Sequence, residues 1–397
     1  MYQSFEIALG GYLMIETIRA LHQKVYHETP TDFYFSPGQL NILGAHTSVS
    51  GGFTLSMSTS VGIYFACRLR NDGIMKIFHN QILEEPLELS VSNQDNAHPF
   101  QKIISKLDYE GYTLQQGFNI SIYAHLPTHI GLSSRASTVI ALIRILLEIN
   151  NHPYRPEKLI KFAHQVEQIN TVIPTSYAEQ MNVVYGKKNH ALFISCKDYS
   201  YHHVPLELEK YRWYVFSANY KDVALETKLK TRYNEIKEGT KLMFSKRPID
   251  DVCDVEFTDF NRLKHEIKDQ NVIKRLEHVI FENDRALQGY KALQKNYDSV
   301  LFELINHSQE SLTELFEMRI PEVDYLVEKL NVLGSNATRM IFTTKSAGVF
   351  AIFNANHTVD FESLRIKYES RFKRNLDIVE VCSSDGFHQL KASNPKD

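Results

Sequence analysis

Three glycine-bearing turns hold the residue types from which a small-molecule site is built. In LPTHIGLSSRAS, residues 126–137, Pro127 and Gly131 shape a turn, and Leu132, Ser133, Ser134 and Arg135 lead into an apolar run. A serine at a helix start exposes free backbone N–H groups at the positive end of the helix dipole, a cradle for an anion such as phosphate. The same residues suit an N-capped buried helix without a ligand, and the turn alone leaves both readings open. SPGQLNILGAHTSVSGG, residues 36–52, offers Gln39, Asn41, His46 and Ser48 as hydrogen-bonding groups but no carboxylate. FTTKSAG, residues 342–348, is the third turn.

These turns need elements to hold them. Residues 31–76 alternate short β-rich runs with turns (DFYFS, NILG, GGFTLSMSTSVGIYFACRLR, IMKIF), which predicts an antiparallel sheet region. NISIYAHL, residues 119–126, predicts another strand. ASTVIALIRILLEIN, residues 136–150, is apolar on nearly every face and predicts a buried helix. After the strand-like HALFIS, residues 190–195, and a short strand at 214–217, charged amphipathic helices are expected over 223–244, 271–294 and 299–316. MIFTT and GVFAIF read as strands, and KYESRFKRNLDIVEVCSS as a closing helix-strand unit. The composition shifts near residues 199–211, which sets the expected boundary between an N-terminal domain, 1–199, and a C-terminal domain, 200–397. The overall class is α+β.

A chain of 397 residues is too long for one compact core, so two domains are expected on length as well. Hydrophobic content of 43% and charged content of 23% are ordinary globular values, with no apolar run long enough to span a bilayer. The opening MYQSFEIALGGYLMIE lacks a basic segment, which argues against a cleaved secretory signal. The cysteines Cys67, Cys196, Cys253 and Cys382 are far apart and suggest neither a metal site nor a disulfide framework, so a reducing cytoplasm is expected. A formal net charge of −3 and no basic run leave no footprint for nucleic acid. Small molecules and proteins remain as partners, with no membrane partner expected. His125 and His129 lie at the turn of residues 126–137 without a third ligand at metal spacing and read as structural.

Taken in order, the segments resemble galactokinases of the GHMP kinase superfamily along almost the whole chain. PGQLNILGAHTSVSGG is similar to a family motif near PGRxNLIGEHTDYNGG, and PTHIGLSSRASTV to one near PxGAGLSSSASLE. GKKNHALFISCKD, RYNEIK, RLEHVIFENDRALQ, IPEVDYLVE and VEVCSSDGFHQL continue the likeness. The resemblance implies a two-domain α+β GHMP kinase fold with the ligand cleft between the domains. It also implies ATP or ADP as nucleotide, a sugar as small-molecule ligand, and Gly131, Leu132, Ser133, Ser134 and Arg135 as nucleotide-binding positions.

Several site positions depart from the family pattern. Gln39 stands at the family's arginine, which is thought to stabilise charge near the reacting hydroxyl. Ala45 and Ser48 stand where a glutamate and an aspartate accept sugar hydroxyls, with His46 retained between them. Charged acceptors contribute roughly 1.5–3 kcal/mol each, so galactose affinity built on them should fall about two orders of magnitude or more. Arg135 and Val139 fill the positions of the family's Mg²⁺-holding serine and glutamate; neither side chain ligates a cation, and the Mg²⁺ site is expected to be lost. Arg135 can instead pair with a phosphate or carboxylate, or be an ion-paired arginine on a helix's first turn. PTSYAEQM, residues 174–181, resembles the segment of the catalytic aspartate and puts Glu179 there as a vestigial base, with Ser176 replacing a small glycine. Gly348 alone survives as a glycine in residues 342–348, where the family has a glycine loop, so this loop is expected to take another path. Tyr233 matches a sugar-touching tyrosine, and Asn41 an asparagine that more often braces the turn.

Together the departures imply a catalytically inactive galactokinase-like protein, working as a sugar or nucleotide sensor or through a protein partner. The alternative is an active ATP-dependent sugar 1-kinase, with Glu179 as base and Arg135 or Lys345 in place of metal charge. An interaction protein without a ligand is a third reading.

Overall fold

The computed structural model describes residues 2–90, 98–126, 130–168, 171, 173–207, 209–245 and 249–391, with side chains from residue 13 onward. In the first part, α1 (Tyr2–Tyr26) precedes β1 (Asp32–Leu43), β2 (Phe53–Arg70), β3 (Ile74–His79) and β4 (Leu87–Ser90). There follow α2 (Pro99–Tyr109), β5 (Gly117–Ala124), α3 (Ser134–Ile149), α4 (Pro156–Gln168), α5 (Ala178–Tyr185), β6 (His190–Ser195) and β7 (Tyr201–Pro205). The second part holds β8 (Tyr211–Lys221), α6 (Ala224–Phe244), α7 (Phe257–Leu263), α8 (Gln270–Gln294), α9 (Asp298–Glu314) and α10 (Pro321–Val332). It continues with β9 (Ala337–Phe342), β10 (Ser346–Asn354), α11 (Phe361–Phe372), β11 (Asp377–Val381) and β12 (His388–Leu390).

One sheet runs in the order β12-β1-β2-β5-β3-β4, with β6 pairing β2 and β7 pairing β6; the other is β11-β8-β10-β9. The class is α+β, as expected. β7 and β12, both beyond residue 200, belong to the first sheet. The antiparallel expectation for residues 31–76 holds for β1 with β2 but fails for β3, which pairs parallel to β5. The reason is topological: β5 enters between β2 and β3, and β4 with α2 supplies the crossover that a parallel pair requires. DFYFS and NILG form one strand, β1, because a register shift at Pro37/Gly38 absorbs the proline within it.

α3 is buried through Ala136, Ile140, Ile143, Ile145 and Leu146, the all-round apolar pattern of a helix covered on most sides. α6, α8 and α9 begin and end within two residues of their expected bounds. α1, α2, α4 and α5 were not anticipated. α1 packs Ile15 and Ile18 against Phe33, Phe35 and Tyr64 on the first sheet. Among the described residues no helix is long and apolar enough to cross a membrane, and the four cysteines are unpaired.

Candidate functional site

The first and second motifs meet at the start of α3. Gly38 allows it: a Cβ there would lie 2.8 Å from Thr59 Oγ1 and 3.1 Å from the Leu132 carbonyl. That close approach lets the Gln39 amide donate to the Leu132 carbonyl at 3.0 Å, and Ser133 Oγ donates to Gln39 Oε1 at 2.8 Å. Ser133 is the residue before α3, with φ 53°, and its side chain makes no capping bond. Its hydroxyl instead bonds Gln39 and the Glu179 carboxyl. The first-turn amides of α3 ahead of Ser137 are those a helix start leaves without an intrahelical carbonyl, so the dipole end is open to an anion.

Arg135, on that first turn, donates from Nε to Glu167 Oε2 at 3.2 Å. Glu167 comes from the buried face of α4, is only 4% exposed, and takes a second bond from Gln180 Nε2 at 2.7 Å. Burial raises its pKa to about 7, the nearby charge of Glu179 adds to the rise, and Gln180 and Arg135 oppose it. Glu179, on the first turn of α5, has a raised pKa through burial, moderated by Arg135 and Ser133. Its side chain is exposed on that turn, although the surrounding protein still disfavours its charge. One guanidinium therefore serves two carboxylates.

The opposite wall is aromatic. His46, at φ 66°, stacks on Phe316 with centroids 4.1 Å apart and planes at 8°, and Phe342 lies at 5.2 Å. His46 Nδ1 is 2.9 Å from the Tyr233 hydroxyl on α6. Burial, with the neighbouring His278 and Arg339, lowers His46 to about 3, so it is a neutral imidazole near pH 7. Tyr233 is raised by burial and by the charge of Glu179, which links the aromatic wall to the carboxylate floor.

A buried charge cluster braces the first motif from the second sheet's side. Glu282 on α8 accepts the Gly44 and Ala45 amides at 3.1 and 3.2 Å and Ser308 Oγ at 2.7 Å. Burial would raise this carboxyl, but Arg285, His278 and Arg339 outweigh it and bring it down to about 2. Arg339 on β9 donates to the Ile42 carbonyl at 2.9 Å and to both Asn41 oxygens.

The structure thus brings Gln39, Ser133, Arg135, Glu179, His46 and Tyr233 together. Asn41 is a brace. Ala45 is half-buried beside His46, and Ser48 is half-buried in the single 3-10 turn Ser48–Ser50. Ser176 accepts the Ala178 amide at 3.3 Å at the start of α5, and Ser134 is exposed on α3. Gly131, at φ 82°, packs where a Cβ would lie 3.4 Å from the Phe342 amide. Leu132 places its side chain in the core, 3% exposed, while its carbonyl accepts the Gln39 amide. Val139 packs on the first core. His125 lines a separate open cavity of about 550 Å³ between the end of β5 and α11 with β11, and Pro127 and His129 lie outside the described residues. The third turn is a tight β9–β10 hairpin in which the Thr343 amide donates to the Ser346 carbonyl at 2.8 Å, with Lys345 exposed at its tip.

Sequence reasoning missed Glu167, Phe316, Phe342, Glu282 and Arg339. Only Glu282 and Phe342 lay in quoted segments, and no spacing marks any of them, because partners from distant elements give them their roles.

Residues 99–187 match the family model described as GHMP kinases N terminal domain, and residues 20–69 the galactokinase galactose-binding signature. The Galactokinase of Limosilactobacillus fermentum is 27% identical over 385 residues, covering 93% of this chain and 98% of the relative. That of Clostridium tetani is 29% identical over 329 residues, covering 80% and 83%. The fold is similar to that of Lactococcus lactis galactokinase complexed with galactose, with a TM-score of 0.85 at 24% identity over 95% of this chain and 100% of that one. It is similar also to Methanococcus jannaschii mevalonate kinase, with a TM-score of 0.61 at 17% identity over 89% and 99%. Both motifs meet at one place, the two family models match there, and the chain is similar to galactokinases of the GHMP kinase superfamily nearly end to end.

Proposed function

We propose that this protein holds a sugar and a nucleotide, ATP or ADP, in the cleft between its two domains and has lost phosphoryl transfer. Its work is then sensing or engagement of a protein partner. The division into residues 1–199 and 200–397 is part of the proposal, with β7 and β12 joining the first sheet from the second half of the chain. The supporting observation is Arg135 set against Glu167 and Glu179. Phosphoryl transfer in this class of reaction depends on a divalent cation that neutralises the β- and γ-oxygens, held by oxygen ligands. The donor set does not fit Mg²⁺: Arg135 takes an oxygen of Glu167, that carboxyl keeps its proton up to about pH 7, and Val139 offers no oxygen.

The chain's own residues support binding. The α3 start and the Arg135 guanidinium offer a cation-like seat for phosphate oxygens. Gln39, Tyr233 and His46 offer neutral hydrogen-bonding groups for hydroxyls. The relatives bear the name Galactokinase, and the Lactococcus lactis protein was solved with galactose.

One observation favours a second reading, a live sugar 1-kinase: Glu179 lies near enough to Tyr233 for its charge to act there, and burial raises its pKa, the direction a general base needs. Turnover decides. Purified protein with MgATP and a sugar panel is assayed for sugar phosphate, alongside thermal shift with ATP, ADP and each sugar. Stabilisation without turnover is expected; sugar phosphate formed at about 1 s⁻¹ or faster would establish the kinase. Neither turnover nor stabilisation would leave a ligand-free interaction protein.

A further inference from the structure

Strand β11 ends the second sheet, whose order β11-β8-β10-β9 leaves it paired on one side only. Backbone parity says which of its groups face outward. In an antiparallel pair the amide and carbonyl of one residue turn to the partner strand, and those of the next residue turn away. The Leu376 amide leaves the sheet for Glu369 Oε1 at 3.2 Å, and the Cys382 amide leaves it for Ser60 Oγ at 3.0 Å. Even-numbered residues are therefore the outward ones. The opposite edge agrees: the Met340 amide on β9 turns out to Gln309 Oε1 at 2.7 Å, and counting through the registers of β10 and β8 brings Asp377, Val379 and Val381 to face β8. Between the two tied ends, the amides and carbonyls of Ile378 and Glu380 have no partner among the described residues.

This open edge borders a cavity. Residues 375–379 form one wall of the space of about 550 Å³, with Ala124 and Leu126 at the end of β5 and with α11 as the other walls. Its charged lining is Glu369 and Asp377 against Arg365, and Arg365 already donates to Glu362 Oε2 at 2.9 Å. Glu369 and Asp377 each commit one oxygen, to the Leu376 amide and to Asn219 Nδ2, and keep the other. The balance is acidic.

We propose that β11 docks an extended segment of a partner protein, added as a further strand to the second sheet and carrying a lysine or arginine beside Glu369 and Asp377. Main-chain bonds to Ile378 and Glu380 supply affinity, and the two carboxylates select the charge. The surface gives the proposed engagement of a protein partner a location and rests on that part of the reading, but it uses no residue of the sugar or nucleotide site.

The test is fluorescence anisotropy of the labelled peptide VKVKVKV with the full chain, beside its acidic counterpart VEVEVEV and an ADP titration of the same sample. Saturable binding of the basic peptide is expected, with the acidic one at least about tenfold weaker. Glu380→Pro removes one outward amide at an exposed edge position, where proline is tolerated, and should lower peptide affinity at least about tenfold while ADP affinity is unchanged. Asp377→Asn, which keeps an acceptor for Asn219, should weaken the peptide about threefold to tenfold. If Glu380→Pro does not fold, the wild-type protein is titrated with VKVKVKV N-methylated at every lysine or at every valine. One of these two should lose binding, because only alternate amides of an added strand face β11. No peptide binding by a protein that binds ADP overturns the docking site and leaves the cleft reading standing; binding of neither removes both. Equal binding of the basic and acidic peptides, or binding that survives the proline and both N-methylations, also overturns it. A dimer in sedimentation that Glu380→Pro dissociates would assign the edge to a second copy of the chain and overturn the partner.

Discussion

Arg339 and Asn41 stand far apart in the chain, yet the guanidinium of one holds both oxygens of the other, at 3.1 Å to the backbone carbonyl and 2.9 Å to the side chain. The contact fixes the end of β1 against β9, and Glu282 continues the clamp onto the amides of Gly44 and Ala45. Arg339→Ala removes one cation from the buried cluster and leaves Arg285 as the arginine paired with Glu282. The expected loss is about 3–5 kcal/mol in urea unfolding, the usual cost of breaking a buried ion pair from one side. An unchanged midpoint would show that the clamp carries no stability.

Glu167 gives the protein a pH signature. Its folded pKa, raised by burial to about 7, exceeds the ordinary carboxyl value, so between about pH 4.5 and 7 the folded state retains a proton that the unfolded chain releases. Stability from this group is full below that window and falls as pH rises through it, by up to about 3 kcal/mol. Glu167→Gln lacks the titration. Relative to wild type, the variant should gain stability between pH 5 and pH 8 in paired denaturant titrations; parallel curves would refute the shift.

Nucleotide binding should not need a metal. With Arg135 as the fixed cation, removal of Mg²⁺ by EDTA should leave ADP affinity within about twofold, while Arg135→Ala should lower it about tenfold, the range of one charge-assisted contact. Calorimetry in which Mg²⁺ strengthens ADP binding tenfold would count against the replacement.

Gly348 serves the sheet. A Cβ there would lie 2.4 Å from the Phe216 carbonyl, at the register shift where β10 pairs with β8. Gly348→Ala should cost about 1–3 kcal/mol as the strands part, with nucleotide affinity of the folded protein unchanged. A loss of affinity without a loss of stability would put this glycine back at the nucleotide.

What the sequence revealed follows from how local each signal is. α6, α8 and α9 were legible because charged and apolar residues alternate at helical spacing, and β6 because HALFIS is a short β-rich run. α1 was not, since Gly10 and Gly11 interrupt a stretch apolar on most faces, and helix formation there draws on packing against Phe33 and Tyr64. The family resemblance of the first two motifs and of residues 174–181 pointed to Gln39, Ser133, Arg135 and Glu179 as parts of one site. Glu167 was invisible because its place opposite Glu179 depends on how α4 packs beside α5. His46 was foreseen as a ligand group, but its stack on Phe316 requires α8, α9 and α6 to converge, which no spacing within one segment encodes.

β12 pairs with β1 at Phe33, Tyr34 and Phe35, and it follows every element of the second sheet in chain order. During synthesis on the ribosome, that edge of β1 stays bare until the whole second half has emerged. An open strand edge is a template for pairing with another nascent chain. Neither half is then an independent folding unit: the early one waits for its last strand, and expression of residues 1–199 alone should give a sticky, chaperone-dependent product.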